Sequence, residues 1–245
     1  RRRDFLLNTP LGLAGALYLP KLLIQNDIIL GHNQKRYRLN TKWSQADVSK
    51  NPVNDCHEMV QDQKGRILLL TNETKNNVLI YDKNGKLLDT WGTEYPGGHG
   101  FTLFNENGTD VLFICDNTRH QVIKTTIDGR VLLTLDYPKE TGMYEKPEEY
   151  IPTETAIAPN GDIYVADGYG KDFIIQYDAQ GRYIRHFGGR GDGPQHLLNA
   201  HGVCLDTRDK NNPCLIVCSR QQNAFKRFDF EGNYLSTIEL PGAWV

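Results

Sequence analysis

The sequence predicts an all-β chain folded as a β-propeller, and three observations predict it. A short pattern returns four times: His57-Glu58-Met59-Val60, His99-Gly100-Phe101-Thr102, Thr153-Glu154-Thr155-Ala156 and His201-Gly202-Val203-Cys204 each open a block of about 40 to 50 residues. Each block reads as four short runs rich in β-branched and aromatic residues. Asn84-Gly85, Asp128-Gly129, Gln180-Gly181 and Glu231-Gly232 fall between the third and fourth runs. A tight hairpin there needs a positive φ, which Gly adopts without steric cost. Four hairpin-linked strands, repeated four times, make four blades.

The blades are expected at about 53–92, 97–138, 151–188 and 199–242. The first is built of His57–Asp62, Arg66–Thr71, Val78–Asp82 and Leu87–Gly92, and the second of Gly100–Asn105, Asp110–Asp116, Gln121–Ile127 and Val131–Asp136. The third uses Thr155–Pro159, Ile163–Asp167, Phe173–Asp178 and Tyr183–Gly188. The fourth uses Gly202–Thr207, Cys214–Ser219, Ala224–Phe230 and Tyr234–Leu240. Residues 31–50 read as a linker or a partial outer strand. The acidic, Pro-containing stretch Lys139–Pro152 is longer than the other connections and reads as a lid or rim loop.

The chain has 245 residues, 39% hydrophobic and 24% charged, as expected of a soluble globular protein rather than a disordered one. A net charge of −2 gives no attraction for a polyanion, so nucleic acid is not an expected partner. The five cysteines read as buried free thiols, with Cys204 facing Cys214 or Cys218 across strands as the alternative. Cys214 and Cys218 on one strand stand roughly 13 Å apart, too far to bridge each other.

The first strand of each blade lines the central channel, so residues at its start surround one mouth. His57, His99 and His201 hold that position in blades one, two and four. In a six-bladed ring, blades two, four and six lie a third of a turn apart. In such a ring His99 and His201 would be two members of a trigonal set whose third would lie in a sixth blade, with His57 as an outer or substitute ligand. Three neutral imidazoles with an open fourth position suit a catalytic Zn²⁺. The alternative is that these histidines only form hydrogen bonds within the channel. Asp116 and Asp167 recur at strand ends and read as bridging blades.

Two resemblances extend this reading. Arg2, Arg3, Phe5 and Leu6, followed by the apolar Leu11–Leu19, resemble a twin-arginine export signal, with Ala14-Gly15-Ala16 in the form of a cleavage site. An ordinary secretory signal or an uncleaved anchor is the alternative. The resemblance implies a periplasmic or extracellular protein, anchored or free, with residues 1–30 engaging the export machinery. Asn160–Asp167, Tyr177–Arg182, Phe187-Gly188 and the linker Gly189–Gln195 resemble an NHL repeat. NHL propellers usually have six blades, so the chain is expected to be part of a six-bladed ring and truncated.

The histidine pattern resembles peptidyl-α-hydroxyglycine α-amidating lyase, an NHL-type propeller. In that family three histidines at blade starts hold zinc, and a calcium ion lies in the channel. The resemblance makes His99 and His201 zinc ligands and places Phe101 in the calcium pattern. It makes Tyr169, in Asp167-Gly168-Tyr169-Gly170, the catalytic base and Arg220 the active-site arginine. A tyrosine can take a proton where positive charge favours the phenolate, and an arginine stabilises developing negative charge. A second family arginine, after the second strand of blade one, is replaced here by Asn72. The expected partner is a small or peptide-like substrate at the channel mouth. The competing reading is a non-catalytic propeller that binds a protein or glycan at the cell envelope.

Overall fold

The computed structural model describes residues 28–242, so the twin-arginine motif and the apolar Leu11–Leu19 of the export-signal reading fall outside those described. The chain divides into two compact units at Thr41. In the first, β1 (Ile28–His32) and β2 (Lys35–Leu39) form an antiparallel hairpin pairing Ile28 with Leu39 and Leu30 with Tyr37. This hairpin covers residues 31–39 of the stretch 31–50 read as a linker or partial outer strand, and residues 28–30 of the segment read as an export signal. Among the described residues no helix is long and apolar enough to cross a membrane.

The second unit holds four antiparallel four-stranded meanders. Blade one is β3 (Cys56–Gln61), β4 (Ile67–Thr71), β5 (Val78–Tyr81) and β6 (Leu87–Trp91). Blade two is β7 (Gly98–Glu106), β8 (Thr109–Asp116), β9 (Gln121–Thr126) and β10 (Val131–Leu135). Blade three is β11 (Glu154–Ile157), β12 (Ile163–Ala166), β13 (Phe173–Tyr177) and β14 (Tyr183–Gly188). Blade four is β15 (Ala200–Asp206), β16 (Cys214–Ser219), β17 (Ala224–Phe228) and β18 (Tyr234–Glu239). The innermost strands β3, β7, β11 and β15 pack side by side in that order. The all-β propeller class expected from the sequence is the fold observed.

The core lies between blades rather than within one. Leu68, Leu70, Ile80, Phe101, Leu112 and Ile114 fill the gap between blades one and two. Val111, Phe113, Tyr150, Val165, Ile175 and Tyr177 fill the next, and Tyr164, Ile174, Leu197, Val203, Val217 and Phe228 the last. The middle strands are apolar on both faces because each face meets a neighbouring blade.

The hairpin glycines serve this packing as well as the turn. Gly129 has φ +88°, and a Cβ on it would press into the Trp91 ring of the preceding blade. The Trp91 indole N–H donates to the Ile127 carbonyl at 3.0 Å, fixing the contact. Gly181 and Gly232 receive the Leu135 and Phe187 side chains of the preceding blade in the same way, while a Cβ on Gly85 would strike the Trp43 backbone carbonyl. Trp91→Ala is therefore expected to cost about 3 kcal/mol, and Trp91→Phe about 1 kcal/mol, in urea unfolding.

Candidate functional site

Three of the innermost strands begin with an irregularity, and each irregularity carries a histidine. The β3–β4 register slips between Cys56 and Glu58, at His57. The β7–β8 register slips between Gly98 and Phe101, at His99, and the β15–β16 register between Ala200 and Gly202, at His201. A bulge leaves its extra residue unpaired and re-aims the side chain. The β11–β12 pairing, which begins at Glu154, has no slip, and Thr153 stands where the other blades have histidine.

The bulged rings meet. The His57 and His99 rings stack with centroids 4.2 Å apart and 29° between planes. The His99 and His201 rings approach edge to face at 5.1 Å. Tyr169 closes the group: its hydroxyl lies 2.8 Å from His201 Nε2 and 3.3 Å from His99 Nε2. Two imidazole nitrogens thus converge on one oxygen.

Thr153 makes that convergence possible. Its carbonyl accepts a hydrogen bond from His99 Nδ1 at 2.9 Å. A carbonyl cannot donate, so Nδ1 carries the proton and Nε2 of the neutral ring presents a lone pair. The Thr153 hydroxyl lies 3.2 Å from the Ala200 carbonyl, one residue before His201. The blade without a histidine therefore orients one imidazole directly and braces the backbone of the other. A backbone carbonyl behind a ligating histidine fixes tautomer and ring angle at many metal sites.

The electrostatics keep both rings neutral. Burial pushes the His201 imidazole down to about 4, with the charges of His99, Arg220 and His57 adding to the effect. His99, only 6% exposed, is lowered too, chiefly by burial, with His57 and Arg220 contributing against the raising effect of the Thr153 carbonyl. Arg220 opens a short 3-10 turn (Arg220–Gln222) after β16, and its charge is felt at both rings. Held neutral, His201 binds fewer protons in the folded state than in the unfolded chain between about pH 6.5 and pH 4, and His99 acts in the same direction. Their contribution to stability is therefore lost as the pH falls through that window. The raised carboxyls of Asp167 and Glu154 act in the opposite direction. In the metal-free protein, His201→Asn is expected to flatten the acid-side fall in Tm relative to wild type, as followed by circular dichroism melts.

Below the histidines the inner strands line a cavity of about 1110 Å³ that includes Glu58, Phe101, Thr102, Glu154 and Cys204. The Glu154 carboxyl is raised well above the usual range by burial and by the Glu58 carboxyl beside it. Glu58 accepts from the Phe101 amide, and Glu154 from the Thr102 hydroxyl and the Thr155 amide. Neither the pairing of these two carboxyls nor the role of Thr153 was foreseen from the sequence.

Two imidazoles thus turn Nε2 toward one point, which the Tyr169 hydroxyl fills, and one of them is backed by a carbonyl. Among the described residues no three His, Cys, Asp or Glu side chains are disposed to hold one ion. His57 stacks face to face on His99, rather than turning an edge to the point that His99 and His201 share. Asn72, where the lyase family has arginine, donates to Asp55 and accepts from Asn54. Asp116 caps its own turn through the amides of Thr118 and Arg119. All five cysteines are free thiols, but only Cys115 and Cys214 are buried; Cys218 is half-buried, and Cys56, at the start of β3, and Cys204, on the inner strand β15, are exposed, contrary to the buried reading.

A family described as a 6-bladed beta-propeller (DUF5128) matches residues 156–244. The chain is 26% identical over 188 residues to a probable peptidyl-alpha-hydroxyglycine alpha-amidating lyase of Caenorhabditis elegans, covering 76% of this chain and 49% of that protein. It is 25% identical over 174 residues to human NHL repeat-containing protein 3, covering 68% of this chain and 48% of that protein. The chain thus spans about half the length of these curated relatives. A streptogramin B lyase structure superposes with a TM-score of 0.57 at 15% identity, over 78% of this chain and 56% of that one, a likeness of fold. The chain is an all-β propeller, similar in sequence to the α-amidating lyases and to NHL repeat-containing protein 3.

Proposed function

We propose that this chain is the propeller of an exported, metal-dependent lyase that cleaves at a hydroxylated carbon of a small or peptide-like substrate. One observation carries the reading: the Nε2 atoms of two neutral histidines from different blades converge on the hydroxyl of Tyr169. The similarity to the amidating lyases supports the reaction class. His99 and His201 would hold Zn²⁺, with any further protein ligand drawn from outside the described residues. When bound, the ion supplies positive charge that polarises a hydroxyl oxygen and eases loss of its proton.

The chain's own residues do the rest. Tyr169, whose hydroxyl lies 2.8 Å from His201 Nε2 in the metal-free protein, stands beside the shared point and would accept the substrate hydroxyl proton once its own had passed to solvent. Arg220 stabilises negative charge as it develops on the substrate. The acidic pair Glu58 and Glu154 would hold a channel calcium, binding the inner strands together.

The test is incubation of the protein with Zn²⁺ and a peptidyl-α-hydroxyglycine, followed by chromatography for the amidated peptide. Release that depends on added metal and is lost in His201→Ala supports the proposal; a folded protein that takes up no metal and turns over nothing overturns it. The similarity to NHL repeat-containing protein 3 favours a second reading, a non-catalytic propeller that presents its rim to a protein or glycan.

A further inference from the structure

Tyr169 sits between two glycines, in a turn that cannot hold it in place unaided. Gly168 and Gly170 carry no side chains to restrain the backbone, and glycine is the most permissive residue. Both are needed: a Cβ on Gly168 would strike the Ala200 carbonyl, and one on Gly170 would strike the Asp167 carboxylate. The position of Tyr169 is therefore set from outside the turn.

The outside grip comes mainly from the segment joining blades two and three. The Asp167 carboxylate, 0% exposed, accepts three hydrogen bonds. Two come from that segment, the Tyr144 hydroxyl at 2.6 Å and the Ile151 amide at 2.7 Å; the third is the Lys171 amide at 2.6 Å. The Tyr169 amide donates to the Ile151 carbonyl at 3.4 Å. On the far shoulder, the Lys171 ammonium binds Glu149 and the Met143 carbonyl, each at 2.6 Å, over the Tyr144 ring. Two residues past Ile151 lies Thr153, whose carbonyl fixes His99. One continuous stretch of chain thus holds the tyrosine and one histidine together.

We propose that residues 138–152 act as a latch that sets Tyr169 against His99 and His201, with Asp167 as the positioning residue and Tyr144 as its releasable pin. The proposal rests on Tyr169 and the two histidines forming one site. It explains why this connection is longer than the others and buries two tyrosines, Tyr144 and Tyr150. A connection that only spanned the blades would need neither. Asp167 acts through Tyr169 and touches no substrate.

Tyr144→Phe tests the latch. The variant keeps the ring packed on Tyr150 and Phe173 and removes only the donor to Asp167. Hydrogen exchange at the amides of Ile151, Tyr169 and Lys171 is expected to rise together, by about tenfold. The imidazole ¹⁵N signal of His201 is expected to move toward its position in Tyr169→Phe, a shift that a merely structural role for Tyr144 would not produce. Lys171→Gln, which frees the other shoulder, is expected to do the same to a smaller extent. Faster exchange confined to 138–152, with Tyr169, Lys171 and the His201 signal unchanged in both variants, overturns the proposal. A Co²⁺ titration separates the two readings. Wild type that binds no cobalt refutes the metal site, while the metal-free exchange and ¹⁵N data still decide the latch.

Discussion

Alanine in place of His99 or His201 is expected to weaken Zn²⁺ binding by at least about 100-fold, the upper end of what losing an outer-shell partner costs. The neutral rings are already in the state a metal requires: His201 is lowered to about 4 and His99 is lowered too, chiefly by burial, so binding near neutral pH displaces little proton from either. Each ring supplies an Nε2 aimed at the shared point, and a single remaining imidazole cannot close a site. His57→Ala is the informative contrast. Its ring is exposed and stacked on His99, so its removal is expected to change affinity by less than about tenfold. Competition titration against a chromophoric chelator reads all three variants on one scale, with circular dichroism confirming the fold. Equal losses in His57→Ala and His99→Ala would show that the site is centred elsewhere.

The fold was legible in the sequence because its signals are periodic. Turn glycines recur at one place in every blade, and apolar runs are short and evenly spaced, so each block corroborates the others. The hairpin Ile28–Leu39 lies outside that period, so its first residues read as the end of the N-terminal apolar segment and the rest as a linker or partial outer strand; all its strand residues are exposed. The histidines were legible as a set, since their recurrence at blade starts placed them around one mouth. Their aim was not. It depends on a one-residue slip in three strand registers, and such a slip leaves no mark on composition.

Two further contributions to the site were hidden for different reasons. Thr153 acts on His99 through a carbonyl, which every residue possesses, so side-chain identity could not announce it. Asp167 was read as bridging blades; it ties the connecting segment to the turn that carries Tyr169. That role depends on where residues 138–152 fold back, a matter of tertiary packing. Glu58 and Glu154 belong to different blades, and only the adjacency of β3, β7 and β11 brings their carboxyls together.

Tyr169→Phe is expected to lower turnover of a peptidyl-α-hydroxyglycine by about 100- to 10,000-fold, the range for loss of a positioned acid–base group. The substitution removes one oxygen from a side chain that is 40% exposed, so the fold has little to lose. Metal affinity is expected to stay near wild type, because the imidazoles and the Thr153 carbonyl remain in place. The effect should fall on kcat rather than KM, since the phenol acts on the proton being moved and not on the body of the substrate. The hydrogen bond to His201 sharpens the expectation. Without the phenol, His201 Nε2 loses its partner at 2.8 Å, and its imidazole signal should change in the same variant that loses turnover. An altered His201 signal with turnover retained would mean that Tyr169 only fills the space between the two rings, and the base would then have to be sought elsewhere on the rim.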